Sequence, residues 1–184
     1  MLPALLIIDL QDGPLDEHPE LRPVADRILA HAREHAQDYG VVVATGFRND
    51  PGSSYDRLVG DDLRHPSEVA IWEPLREVAG LVVESPTYSS LTPRVQQQLV
   101  HCGAREVHVI GIDTDQCVLA TVFALFDAGY EPRVFDDLVA SASGSTPHEA
   151  GLVALRRAIG EDRVHPASEA TFDSDRSTND QRSD

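Results

Sequence analysis

Residues 106–121, "EVHVIGIDTDQCVLAT", decide how the rest of the chain is read. The first six are a short, mainly apolar run closed by a glycine, which predicts a buried strand over 106–111. Apolar residues then recur at helical spacing over 114–128, and Gly129 stops that helix. A strand passing straight into a helix through a short polar turn is the repeating unit of a parallel α/β sheet. Cys117 stands in that turn with Asp113, Asp115 and Gln116. A cysteine that serves only to fill a core does not need such neighbours.

The pattern repeats on either side. LLIID (5–9) and VVVAT (41–45) predict buried strands, with an amphipathic helix over 20–39 between them that ends at Gly40. A Gly-, Pro-, Ser- and Asp-rich connection spans 46–67, long enough to suggest a functional loop. A short helix is expected within 68–80 and a third strand at LVVES (81–85). A helix opened by Thr92-Pro93 runs over 91–102. Strand EPRVFDD (131–137), helix 148–160 and an edge strand within 162–166 complete the series. Strands alternating with helices predict a three-layer α/β/α fold with a parallel sheet of about six strands in the order 3-2-1-4-5-6. One domain is expected over 1–167. An acidic segment over 168–184, nearly free of apolar residues, is expected to be disordered.

Composition excludes several classes of function. The 184 residues carry a formal net charge of −16, from 31 acidic and 15 basic side chains. Such a surface repels phosphate backbones, so nucleic acid is not an expected partner. All 15 basic residues are arginines; the chain has no lysine. No apolar run reaches the ~20 residues that cross a bilayer, and MLPALLIIDL is too short and lacks the basic leader of a signal peptide. Cys102 and Cys117 do not form a disulfide framework, and a reducing cytoplasm suits them best.

The residues that carry chemistry lie at strand ends, where α/β sheets bind their ligands. A helix N-terminus offers Cys117 partial positive charge and N–H groups, which favour a thiolate and can hold an oxyanion. Asp113 and Asp115 push the other way. A structural role is the alternative for Cys117, and it is the reading adopted for Cys102. Asp9 ends the first strand and, in a sheet whose order reverses between strands 1 and 4, emerges beside Cys117 as a candidate base. The alternative for Asp9 is a turn or cap residue. "HAREH" (31–35) fits an inverted zincin pattern but sits mid-helix without a third ligand, and it is read as a helix flank. His148 opens the last helix, where it could face the site; exposure, ordinary for a histidine at a helix start, is the alternative.

With these residues in place, the chain resembles the isochorismatase-like cysteine hydrolase superfamily over about residues 4–160. "IIDLQDG" is similar to the segment that carries that family's catalytic aspartate, here Asp9. "GIDTDQCVLAT" resembles its G-x-x-T-x-x-C-V signature, with the nucleophile at Cys117, and "PTYSSL" resembles its Y-S-x-F block. The resemblance implies a cis peptide between Ile112 and Asp113, an oxyanion hole from the N–H groups of Asp113 and Cys117, and assembly as a homo-oligomer.

Two departures qualify it. The family's triad lysine falls on Ser85, and no lysine exists to replace it. Arg48 is the candidate for supplying that charge, against the alternative of a solvated loop arginine. The metal-binding Asp and paired His of nicotinamidases have no counterpart after the second strand, where His65 stands alone. No metal and no cofactor are therefore expected, as in the metal-free branch. Tyr88 and Phe123 are candidates for the walls of a substrate pocket, against ordinary packing. The expected function is cleavage of a C–N bond in a small amide-like or ureido molecule through a thioester. The alternative is a catalytically impaired relative that binds a ligand or acts as a scaffold. A vinyl-ether hydrolase is disfavoured, because that chemistry needs no cysteine.

Overall fold

The computed structural model describes residues 1–60 and 62–170. Six strands form one parallel sheet: β1 (Ala4–Ile8), β2 (Val41–Phe47), β3 (Leu81–Ser85), β4 (Glu106–Ile112), β5 (Glu131–Ala140) and β6 (Val164–His165). Their order is β3-β2-β1-β4-β5-β6. This is the doubly wound arrangement read from the sequence, and its order reverses between β1 and β4.

Each face of the sheet is covered by helices, which is why β1 is apolar throughout. Leu6 and Ile8 pack with Val95 and Leu99 of α5 (Pro93–Cys102), Val122 and Leu125 of α6 (Leu119–Asp127), and Leu152 and Leu155 of α7 (Ser145–Ile159). The alternate residues Leu5 and Ile7 face the other way, toward Val24, Ala25, Ile28 and Ala32 of α2 (Arg22–Glu34). Side chains that alternate across a strand meet apolar surface on both sides only when the sheet is sandwiched.

Some details differ from expectation. A short helix α1 (Asp12–Glu17) follows β1 directly, where the sequence offered no helical period of useful length. The connection read as continuous loop over 46–67 contains α3 (Ser54–Leu58) and the start of α4 (Pro66–Val69). Ser53 caps α3 by accepting a hydrogen bond from Asp56 N. Helix α7 begins three residues before the expected His148. Residues 168–170 belong with a short 3₁₀ turn at Ala167–Glu169. The rest of the segment expected to be disordered lies outside the described residues.

His31 of "HAREH" is buried rather than flanking. Its Nε2 lies 2.9 Å from Tyr39 OH, which lies 3.0 Å from His108 Nδ1, and His108 Nε2 lies 2.7 Å from Glu106 Oε1. The carboxylate only accepts, so His108 Nε2–H donates to it. His108 Nδ1 must then accept from Tyr39 OH, and His31 Nε2–H donates to Tyr39. Burial holds His31 well below the usual histidine range, at about 4, consistent with a neutral ring. Arg133 donates to Glu106 at 3.0 Å and Arg163 at 3.3 Å, closing this polar spine at the end of the sheet where β4 begins.

Candidate active site

At the opposite end of the sheet, β1 and β4 approach unusually closely. Gly111 pairs with Ile8 and has φ +124°; a Cβ there would lie 2.2 Å from Ile8 O. Only glycine permits both the conformation and the contact. The two strands therefore deliver their next residues to the same point. Asp9 leaves β1 in the left-handed region, φ +53°, and its N–H donates to Thr45 O at 3.0 Å. The Ile112–Asp113 peptide leaving β4 is cis. A single wide π turn, Thr114–Val118, follows, and in it Val118 N donates to Asp113 O at 3.1 Å. This turn swings Cys117 back over the strand ends. Helix α7 lies tight against the turn: a Cβ on Gly151 would sit 3.0 Å from Asp115 Cα. Thr114, fully buried, is tied to α7 by a hydrogen bond with His148 at 2.9 Å. His148 thus braces the turn rather than facing solvent alone.

Asp9 and Cys117 line the same cavity, close enough that each shifts the proton affinity of the other, with the carboxylate as the acceptor for the thiol. Both are buried. Burial pushes the Asp9 carboxyl up to about 7, against the pull of the Cys117 and Thr45 hydrogen bonds. Burial also pushes the Cys117 thiol well above its ordinary value, helped by the charges of Asp9, Asp113 and Asp115. In the contest between helix terminus and carboxylates, desolvation and negative charge win. At neutral pH the resting sulfur is a thiol, not a preformed thiolate, beside a carboxyl poised between its two protonation states.

Behind Asp9 runs a set of buried hydroxyls that the sequence did not single out. Thr45 Oγ1 donates to Asp9 Oδ1 at 3.3 Å and lies 2.9 Å from Ser90 Oγ. Ser90 N in turn donates to Thr121 Oγ1 at 2.9 Å. The signal available was Thr45 as the one polar residue of an otherwise apolar run, at the expected strand end. Gln11, also missed as a functional candidate, is 1% exposed and fully engaged. Its amide donates to the carbonyls of Phe47 and Val69, each at 2.8 Å, and accepts from Phe47 N at 2.9 Å. It fastens the end of β2 to the end of α4 and so fixes one side of the site.

A small cavity, partly open to solvent, lies over this pair. Asp9, Asp113 and Cys117 form its floor, and Phe47, Tyr55 and Tyr88 one wall. Asp113 is oriented by Ala142 N, which donates to its Oδ1 at 2.8 Å, while burial raises its carboxyl above the usual range. Of the expected wall residues, Tyr88 is present. Phe123 is on the outer face of α6, 41% exposed, and does not line the cavity. Arg48 also stays outside, bound to Glu84 at 2.8 Å and Asp50 at 3.4 Å. Ser85 is buried at the end of β3, away from the cavity wall. Its hydroxyl is enclosed by its own turn, accepting from Thr87 N at 3.3 Å and lying 3.1 Å from the carbonyls of Thr87 and Ser89. Among the described residues, no three His, Cys, Asp or Glu side chains gather so as to hold a metal, and no helix is long and apolar enough to cross a membrane.

A doubly wound parallel α/β sheet with Asp9 and Cys117 in one cavity at its switch point is the frame against which the chain is compared. Residues 3–162 match the Isochorismatase domain, and the chain belongs to that family. It is similar to isochorismatase domain-containing protein 2 of Xenopus laevis, at 26% identity over 126 residues, 68% of this chain and 52% of that protein. The match thus spans about half the length of that relative. The fold is shared with a nicotinamidase from Bacillus subtilis, at a TM-score of 0.77 and 23% identity, covering 90% of this chain and 99% of the other. It is also shared with an N-carbamoylsarcosine amidase from Thermoplasma acidophilum, at a TM-score of 0.78 and 22% identity, covering 92% and 99%.

Proposed function

We propose that the protein is a cysteine hydrolase that cleaves the C–N bond of a small amide or ureido substrate through a thioester. The observation that carries this reading is the placement of the Cys117 thiol and the Asp9 carboxyl together in the lining of one cavity, each shifting the proton affinity of the other. Asp9 takes the thiol proton as Sγ attacks the carbonyl carbon, and a C–S bond forms. The oxyanion is held by the N–H groups of Asp113 and Cys117. Asp9 then returns its proton to the departing nitrogen, and the C–N bond breaks. Water, deprotonated by Asp9, attacks the thioester, releasing the acid and regenerating the thiol. Because burial puts the Asp9 carboxyl near neutrality, it is suited to both taking and giving a proton at pH 7. No metal or other cofactor is assigned a role. We further propose a cytoplasmic setting, which suits two cysteines outside any disulfide framework, and, by resemblance, a homo-oligomer of the metal-free branch.

The reading is tested by ammonia release from a panel of small amides and ureides. Turnover that Cys117→Ala abolishes supports it; turnover that survives Cys117→Ala, or a panel with none, contradicts it.

A second reading, a catalytically impaired relative that binds a ligand, is favoured by one specific arrangement. The side chain at the family's lysine position, Ser85, is spent within its own turn, and Arg48 is held by two carboxylates away from the site. If the missing cation limits the chemistry, Ser85→Lys raises the rate of Cys117 alkylation at neutral pH by about tenfold, the effect of a one-unit fall in thiol pKa. An unchanged rate removes Ser85 from the catalytic set.

A further inference from the structure

The cavity is defined by charge as much as by shape. Among the described residues its lining holds two acidic side chains, Asp9 and Asp113, and no arginine or histidine. The two arginines that follow lining residues in the chain are occupied: Arg48, after Phe47, by Glu84 and Asp50, and Arg64, after Leu63, by Asp56. His18, whose field reaches Asp113, lies at the surface 3.2 Å from Glu20. A substrate bearing a carboxylate would bring a third negative charge against two that are already desolvated, with no partner for it.

Three lining residues form an aromatic cluster. The rings of Phe47 and Tyr88 are nearly parallel, 18° apart with centroids at 6.2 Å, and Tyr55 leans on both, 4.9 Å from Phe47 and 6.1 Å from Tyr88. Aromatic faces attract cations through their quadrupole, most strongly where water is displaced. A cavity offering carboxylates on the floor and rings on the wall is complementary to an organic cation.

We infer that the substrate is a small amide or ureide carrying a positively charged group, an ammonium or quaternary ammonium, seated between Asp113 and the Phe47–Tyr55–Tyr88 wall while its carbonyl meets Cys117. This rests on the hydrolytic reading of Cys117 and Asp9. It also accounts for how the reaction proceeds without a lysine. The bound cation supplies beside Asp9 the positive charge that no side chain of the lining provides, and so favours the ionised base when substrate is in place. A neutral analogue of the same shape leaves the base more protonated and reacts more slowly.

Two experiments separate this inference from the reading beneath it. In the first, Cys117 is labelled in a Cys102→Ser background with methanethiosulfonates bearing a trimethylammonium or a sulfonate group. Cys102, labelled in Cys117→Ser, is the reference, since the protein's net charge acts on both thiols. The labelling is carried out at about 0.5 M salt to screen that global field. The cation-over-anion rate ratio at Cys117 is expected to exceed that at Cys102 by about tenfold or more, and to fall in Tyr55→Leu. Equal ratios at the two thiols, or a faster anion at Cys117, overturn the inference; a ratio unmoved by Tyr55→Leu removes the wall from it. In the second, ammonia release is compared for trimethylammonioacetamide, its tert-butyl isostere 3,3-dimethylbutanamide, and succinamate. A preference for the cation in kcat/KM of about tenfold over the isostere is expected. Turnover of all three alike overturns the charge assignment and leaves the hydrolase intact. Cation-selective labelling with no turnover of any amide retains the charge assignment and overturns the hydrolase.

Discussion

At the scale of single residues, the protein solves a problem that its composition creates. A buried carboxylate next to a thiol needs something to keep it usable as a base, and a nearby cation is the strongest means. Here Asp9 has a neutral hydrogen-bond donor instead, Thr45, which is in turn held by Ser90. One hydroxyl lowers a carboxyl far less than a cation does, and Asp9 is left at about 7. Removing that donor in Thr45→Val takes away an interaction made to the ionised form, so the Asp9 carboxyl rises further. The acid limb of the kcat/KM profile is expected to move to higher pH by about half a unit to one unit, a donor's worth of ~1 kcal/mol. Thr45→Ser keeps the donor and restores the profile. A limb that stays in place in Thr45→Val contradicts the role given to Thr45, whatever happens to kcat. Little of this was legible in the sequence: a polar threonine closing an apolar run is an ordinary signal, and its partner Ser90 is 45 residues away in the chain.

At the scale of elements, the site depends on the crossover between β1 and β4. Gly111 lets the two backbones close to a distance that no side chain permits, and the π turn then returns Cys117 over the gap. Gly111→Ala combines a strained φ with a Cβ placed 2.2 Å from Ile8 O, so one strand must shift. The expected loss is about 3 kcal/mol or more of folding free energy, read as a lower denaturant midpoint. A variant of wild-type stability contradicts the close approach. The elements themselves were largely readable, since strands sandwiched between helices are continuous apolar runs and α2, α5 and α7 carry clear helical periods. What could not be read is instructive. Helix α1 is six residues long, under two turns, and so has no period to detect. The π turn has the same residues as an α turn and differs only in which carbonyl accepts. Asp9 and Cys117 were legible as a pair because each stands at a strand end whose place in the sheet follows from topology. Arg48 and Phe123 were misplaced because side-chain direction at a loop or helix surface is not set by topology.

At the scale of the whole molecule, the two ends of the sheet carry different polar machinery. The end bearing Asp9 and Cys117 keeps strained, desolvated groups that cost stability. The other end holds the His31–Tyr39–His108–Glu106 spine, in which the His108 hydrogen bond and then Arg133 hold the Glu106 carboxyl at about 2. A carboxyl depressed in the folded state contributes stability that is present above its unfolded value, near 4.5, and lost as pH falls toward 2. Glu106→Gln is therefore expected to destabilise the protein by about 1–3 kcal/mol at pH 7, and by progressively less below pH 4. Urea titrations at the two pH values check this; a loss independent of pH contradicts the assignment of charge to Glu106. The net charge of −16 acts on everything, and it favours cationic over anionic small molecules in solution as well as in the cavity.

The central claim, that Asp9 and Cys117 share one proton and act as a unit, is most directly tested by the pH dependence of Cys117 alkylation by iodoacetamide in the wild-type chain and in Asp9→Asn. The wild-type rate is expected to rise through an inflection near pH 7 as Asp9 ionises and begins to accept the thiol proton, and Asp9→Asn is expected to lose that inflection. A wild-type profile with a single inflection at or above the free-thiol value of ~8.5, unchanged in Asp9→Asn, would contradict it.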